Sequence, residues 1–150
     1  MALYRAFPQD YDADARLRSD AAPQQCWSNC VEGHVMECIT WFAPILPGKM
    51  DEWKSLIEEV TGPGKEEYGR SRGRLGLARE VVSHMQTPQG DFVCMFHEAE
   101  DLDKAFHALA TSNDPYDVWF KEKLQEVHGI TSEMLEGPLP AKLLFDYKAG

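Results

Sequence analysis

Residues 77–98 read LAREVVSHMQTPQGDFVCMFHE, and this stretch decides the fold of the chain. It holds two runs rich in β-branched and aromatic residues, which are typical of β-strands. The Pro-Gln-Gly segment between them, residues 88–90, has the composition of a tight turn, because proline fixes one φ angle and glycine permits a positive one. The sequence therefore predicts a β-hairpin.

Charged side chains favour one pairing of the two predicted strands. If Gln86 lies opposite Asp91, then His84 faces Val93, and the far end of the hairpin carries two pairs of opposite charge. A bulge in the turn would shift the pairing by one residue and break both pairs, so this register is a hypothesis. The two pairs are Glu80 with His97 on one face and Arg79 with Glu98 on the other.

The composition limits the function classes. A chain of 150 residues with 43% hydrophobic content suits a single soluble domain with a sizeable core. A net charge of −10 argues against a nucleic-acid surface, which needs a clustered basic face. There is no apolar run near the roughly 18 residues that span a bilayer, and the N-terminus lacks the apolar core of a signal peptide. Four cysteines outside any dense framework favour a reducing, cytoplasmic location.

Residues 1–34 differ from the rest, because their aromatic residues follow no sustained period. We expect an irregular extension, with at most one short helix near residues 13–18, followed by a domain over residues 35–150. At the end of this extension and just beyond it, Cys26, Cys30, His34 and Cys38 recur every four residues. A zinc site would need one helix through all four, yet Gly33 precedes a strand-like run that contains Cys38. We therefore expect ordinary thiols and no metal.

The remaining segments alternate between the two kinds of secondary structure. Residues 35–46 and 143–147 read as strands, and residues 50–60, 65–75, 101–110 and 115–128 read as helices. The order is βαββαβ, an α+β fold of the ferredoxin-like (split βαβ) type with a four-stranded antiparallel sheet, strand order 4-1-3-2, and helices on one face. The other face is also apolar, and a homodimer packing sheet on sheet would cover it.

Several motifs carry a resemblance to a known superfamily. They are the Pro47-Gly48-Lys49 helix entry, the Thr87–Asp91 turn, and the runs AEDLDKA, DPYDVWF and EVHGI that begin at residues 99, 114 and 126. With them, residues 35–147 resemble the dimeric α+β-barrel superfamily, in particular its small bacterial members. More distantly they resemble antibiotic-biosynthesis monooxygenases, polyketide cyclases and haem-degrading enzymes of the same fold.

The resemblance implies a homodimer with a small-molecule cavity between the sheet and the helices of each subunit. It directs attention to the strand residues that face the helices and to five candidate site residues in the helical layer, of which all but Tyr116 are substrate-binding candidates: Trp53, Tyr116, Trp119, Phe120 and His128. Alternation leaves open whether Glu80 and His97 face this cavity or the partner sheet, since both strand faces are largely apolar. The aromatic residues could equally belong to an ordinary core, and His128 could bond free carbonyls at a helix end.

A histidine beside a carboxylate in a dry cavity suits general acid–base catalysis. In this interpretation His97 or His84 is the base, Glu80 orients it, Tyr116 donates a hydrogen bond to an oxyanion or carbonyl, and Arg79 is a further substrate-binding candidate. We expect no cofactor, because a Gly-rich nucleotide loop and HExxH-type spacing are both missing from the sequence. The substrate would be small and largely apolar, aromatic or polyketide-like. The simpler interpretation is a cross-strand salt bridge that only stabilises the hairpin.

Other functions stay open at this point. A non-catalytic dimeric module could bind a small ligand or stabilise a partner. Haem binding is a weaker option, with His84, His97 or His128 as axial ligand. Finally, Arg70, Arg72 and Arg74 could bind an anion, or could complement the C-terminus of their own helix and the acidic surface.

Overall fold

The computed structural model of the chain describes residues 36–147. The extension predicted for residues 1–34, with its short helix and with Cys26, Cys30 and His34, lies outside these residues. The described elements, in chain order, are β1 (Glu37–Pro44), α1 (Met50–Thr61), α2 (Lys65–Leu75), β2 (Leu77–Thr87), β3 (Gly90–Ala99), α3 (Leu102–Thr111), α4 (Pro115–His128) and α5 (Ser132–Glu136).

The three strands form one antiparallel sheet in the order β1-β3-β2, so the second strand of the hairpin is central. The predicted register of the hairpin is confirmed, since Gln86 lies opposite Asp91 and Glu80 lies opposite His97. One irregularity, between Leu77 and Arg79, falls at the open end of the hairpin and leaves this pairing intact.

The predicted four-stranded ferredoxin-like fold is wrong, because the sheet of the described residues has three strands and is packed with five helices. The segment expected to form a fourth strand, residues 143–147, is irregular and exposed; Phe145, for example, is 81% exposed. The preceding segment also differs from the prediction, because α5, which the sequence did not predict, packs against α3 there. A short apolar run becomes a strand only where a partner strand is within reach.

Local capping explains where the helices of the second half begin and end. Asp101 accepts a hydrogen bond from the Lys104 backbone N–H at the start of α3. Asp114 caps α4 in the same way, with Pro115 in the first turn. Gly129 ends α4 in a left-handed conformation that glycine adopts without strain.

The core lies between the sheet and the helices. One face of the sheet contributes buried side chains such as Ile39, Val93 and Met95, and the helices contribute others such as Leu56 and Leu109. The opposite face of the sheet is open in the chain as described, and it exposes three large apolar side chains: Phe42 (53%), Val81 (39%) and Met85 (37%).

Candidate functional site

A cavity of about 90 Å³ lies between the sheet and the helices. Most of its lining is apolar, with side chains such as Leu56, Val93, Met95 and Phe106. Val82 also lines the cavity and is 40% exposed, so this side of the cavity meets the solvent. The cavity has room for a few water molecules or one small ring, and it is therefore larger than an ordinary packing defect.

Among the described residues that line this cavity, one has an acidic side chain: Glu80, which projects from β2. Its Oε1 accepts a hydrogen bond from His97 Nε2 on β3 (3.2 Å), and its Oε2 accepts one from the Tyr68 hydroxyl on α2 (2.6 Å). Arg72 Nε lies 3.3 Å from the same Oε2. The alternative that sequence left open is thus decided: Glu80 and His97 face the helices.

These contacts keep Glu80 ionised. Burial alone raises the pKa of Glu80, but the hydrogen bond from His97 and the positive charge of Arg72 outweigh it, so the pKa lies below its ordinary value. Tyr68 shows the opposite effect, because burial and then the Glu80 charge raise the pKa of its hydroxyl. Tyr68 is therefore a hydrogen-bond donor at neutral pH and not a base.

Both ring nitrogens of His97 are already engaged. The indole Nε1–H of Trp41, on β1, donates to His97 Nδ1 at 3.0 Å. Because an indole N–H can only donate, Nδ1 must accept, and the proton of the neutral ring sits on Nε2 and points at Glu80. His97 is 6% exposed and packs edge-on against Phe106. The structure thus fixes the orientation and tautomer of this ring and leaves no nitrogen free for a substrate.

His128 is the second histidine in the lining of the cavity. Its Nδ1 lies 2.8 Å from the backbone oxygen of Pro44, to which it donates, and no described residue hydrogen-bonds its Nε2. Burial lowers the pKa of His128, and the bond to Pro44 only partly opposes this effect. His128 is therefore neutral at pH 7, with the lone pair on Nε2.

The structure divides the nine residues singled out from the sequence into two groups. Five of them line the cavity: Glu80, His97, Trp53, Phe120 and His128. Four do not: His84, Arg79, Tyr116 and Trp119.

The second group has other contacts. His84 Nε2 lies 2.8 Å from Asp91 Oδ1 near the hairpin turn, and its ring packs on Trp53. Arg79 lies over the ring of Phe96 on the open face of the sheet. Tyr116 packs against Trp119, and burial raises the pKa of the Tyr116 hydroxyl, which is buried and has no partner among the described residues.

Sequence reasoning missed two polar members of the site, Trp41 and Tyr68, and considered a third, Arg72, only as part of a possible anion site with two other arginines. Tyr68, Arg72 and Leu75 are spaced four and three residues apart on α2, so they share one face of that helix. That spacing was the available signal. The proposed anion site of three arginines is not assembled, because Arg70 pairs with Glu67 on the surface and Arg74 pairs with Asp114 and Asp117.

Within residues 36–147 no group of three or more His, Cys, Asp or Glu side chains is arranged to hold a metal ion. None of the helices described there has the length and apolar composition that a membrane crossing requires. Comparisons of the chain with protein-family models, with curated proteins and with solved structures give no match. Fold and site define an α+β domain with an internal cavity, and the function is argued from that cavity.

Proposed function

We propose that this domain binds a small, largely apolar molecule in the cavity between its sheet and its helices. The cavity itself carries the proposal: apolar side chains make up most of its lining, and a few polar groups converge on one side, as in ligand sites generally. Its volume of about 90 Å³ is below the roughly 150 Å³ of an apolar cavity known to take benzene. A single small ring is therefore favoured over a multi-ring compound or haem.

The geometry of His97 argues against its acting as a catalytic base, and so favours a binding function for the cavity. A general base needs a free lone pair within reach of the proton that it removes. Trp41 occupies Nδ1 of His97, and Nε2 donates to Glu80. The pair of Glu80 and His97 therefore serves to shape the polar side of the cavity.

Binding is tested with methylenecyclopentane, a six-carbon hydrocarbon without polar atoms. Burying about six carbon groups is worth roughly 5 kcal/mol, which corresponds to a sub-millimolar Kd. An NMR titration that follows the indole N–H signals of Trp41 and Trp53 should saturate in this range. If these signals do not shift up to the solubility limit of the hydrocarbon, the proposal is wrong.

A matched pair of variants locates the binding site. Ala105 lines the cavity, whereas Ala108 lies on the same helix and outside the lining. Ala105→Leu should fill the cavity and weaken binding at least about tenfold, the loss of more than one buried methylene contact. Ala108→Leu should leave the Kd unchanged. Circular dichroism establishes that both variants fold, and Ala105→Val, with an intermediate loss of affinity, replaces Ala105→Leu if the latter does not.

A cofactor-independent enzyme is the second candidate, and His128 is the observation that favours it. A neutral histidine whose Nδ1–H is fixed by a backbone oxygen, and whose Nε2 has no hydrogen-bond partner within residues 36–147, has the form of a general base. Its test is the exchange of the α-protons of cyclopentanone in D2O. An enzyme should accelerate deuterium incorporation, and His128→Asn, which retains a donor for Pro44, should abolish the acceleration. A pure binding protein gives no acceleration in either form.

We also infer that two copies pack through the open faces of their sheets in a reducing, cytoplasmic setting. Exposed Phe42, Val81 and Met85 on one face support the pairing, since contiguous exposed apolar surface is typical of interfaces. The free thiols of Cys38 and Cys94 support the setting. Relationship to the dimeric α+β-barrel superfamily stays a proposal of the same kind, and it rests on the sequence motifs alone.

A further inference from the structure

Arg72 is a buried cation in the wall of the cavity. It is 8% exposed, and its guanidinium carbon lies 4.3 Å from the ring centroids of both Tyr68 and Phe120. The two ring centroids lie 5.8 Å apart and the ring planes are inclined by 63°, so the rings contact the guanidinium from two adjacent sides through cation–π contacts. These contacts restrict the orientation of the guanidinium.

The donors of Arg72 are not fully used within the described chain. Nε lies 3.3 Å from Glu80 Oε2, which makes an ion pair but not an aligned hydrogen bond, and Nη2 has no acceptor. Both nitrogens are buried. Buried donors without an acceptor destabilise a folded protein, and native structures satisfy nearly all of them. A cavity next to such donors is therefore suited to a ligand that brings an acceptor.

The charges around Arg72 determine which acceptor fits. Glu80 neutralises Arg72, and the other groups that face the pair, Tyr68 and His97, are neutral in the geometry observed: Tyr68 donates its hydroxyl proton, and Trp41 holds His97 in its Nε2–H tautomer. The cluster as a whole has no net charge. A ligand anion would add an uncompensated charge beside the buried Arg72, which is costly.

We propose that the ligand of this cavity is a neutral carbonyl compound, with its apolar body in the cavity and its carbonyl oxygen accepting hydrogen bonds from Arg72. This inference rests on the proposed binding function and adds the chemical class of the ligand. A carbonyl oxygen uses the free donors without disturbing the charge balance with Glu80, and the hydrocarbon part meets the apolar walls.

A pair of nearly isosteric probes tests the proposal. Cyclopentanone and methylenecyclopentane differ in one position, where an oxygen replaces a CH2 group. The quantity to measure is the ratio of their dissociation constants by NMR titration, in the wild type and in Arg72→Met/Glu80→Gln. Comparing this ratio between the wild type and the double variant cancels the difference in hydration between the two probes, because that difference is the same for both proteins. The double variant removes both charges together, so that neither is left buried alone.

The double variant should shift the ratio by about tenfold or more against the ketone, the usual worth of a hydrogen bond from a charged donor. Arg70→Met is the matched control, because Arg70 lies on the same helix and pairs with Glu67 at the surface; its ratio should equal that of the wild type. Cyclobutanecarboxylate, an anion of similar size, should bind at least about tenfold more weakly than cyclopentanone at pH 7.

Three outcomes overturn a proposal, and they are distinct. If neither probe binds the wild type, the binding function itself is wrong. If both bind and the ratio is the same in the double variant, only the role of Arg72 is wrong. If the carboxylate binds more tightly than the ketone, the ligand class is an anion and not a neutral carbonyl compound.

If the double variant does not fold, Arg72→Lys replaces it. This variant keeps the positive charge beside Glu80 but loses the planar guanidinium donors, and it should shift the ratio of dissociation constants in the same direction.

Discussion

Glu80 makes hydrogen bonds or ion pairs with residues on two other elements. A third element contacts one of those residues but not Glu80 itself. Tyr68 and Arg72 approach it from α2, His97 approaches it from β3, and Trp41 on β1 fixes the ring of His97. The pair of Glu80 and His97 follows from strand alternation and was predicted. The spacing of Tyr68 and Arg72 places them on one face of α2 but does not indicate that this face meets β2, and Trp41 is 56 residues from His97 in the chain.

Asp117 is the second buried carboxylate and has a structural role. It is 1% exposed and accepts hydrogen bonds from the hydroxyls of Ser71 on α2 and Ser112 before α4, with Arg74 within 3.3 Å. Burial by itself raises the pKa of Asp117, but the bonds from Ser112 and Ser71 and the charge of Arg74 outweigh it and lower the pKa. The residue therefore fastens α2 to α4.

Replacing Asp117 should destabilise the domain. Asp117→Ala leaves the Ser71 hydroxyl buried without its acceptor, and we expect a loss of about 3 kcal/mol in the free energy of unfolding at pH 7. Urea denaturation followed by circular dichroism measures this loss. Glu122→Ala, on the exposed side of the same helix, should change the free energy of unfolding by less than about 0.5 kcal/mol.

The difference in the free energy of unfolding between wild type and Asp117→Ala should depend on pH, with a defined sign. Because the pKa of Asp117 is lower in the folded state than in the unfolded state, its contribution is complete above about pH 4 and disappears as the pH falls through the folded value. The difference in the free energy of unfolding between wild type and Asp117→Ala should therefore shrink as the pH falls below about 4. A difference that stayed constant over this range would mean that the ionised carboxylate is not what holds the two helices together.

At the scale of the element, the hairpin and α2 are the parts that build the site. Alternation in β2 and β3 places Glu80 and His97 on the face that meets the helices. α2 is polar in composition, and yet it buries Ser71, Arg72 and Leu75. Arginine is usually exposed, so a helix face that contains one is easily taken for a solvent face. Arg72 is buried nevertheless, because its guanidinium packs against two aromatic rings.

The C-terminal segment shows the limit of local pattern. Leu143–Tyr147 has the residues of a strand, but Leu144 and Tyr147 are 79% and 76% exposed. Apolar composition gives a segment the tendency to pair and supplies no partner strand. α5 packs on α3 and fixes where the chain continues, and five residues of sequence do not contain that information.

At the scale of the whole molecule, helices cover one face of the sheet, and the described residues leave the other face open. That face carries aromatic side chains on neighbouring strands, since Phe42 on β1 packs edge-on against Phe92 on β3. A twofold pairing of two such faces would bury this surface in a self-complementary interface.

The dimer has a direct test. The full-length protein should sediment as a dimer at micromolar concentration, and Phe42→Lys/Val81→Lys should be monomeric, because two charges would be buried without partners at the centre of the interface. Analytical ultracentrifugation measures the masses. Val118→Lys, on the exposed side of α4, is the control and should stay dimeric. A monomeric wild type contradicts the pairing of the sheets.

The sequence by itself determined the hairpin, its register and the positions of four helices, because these follow from alternation, 3.6-residue periodicity and capping, which act over a few residues. Only the tertiary structure decided that the sheet has three strands, that Glu80 and His97 face the helices, and that Arg72 is buried against the rings of Tyr68 and Phe120. Each of these features depends on which elements, separate in the chain, pack against one another. That packing determines which side chains are buried, and the local sequence does not.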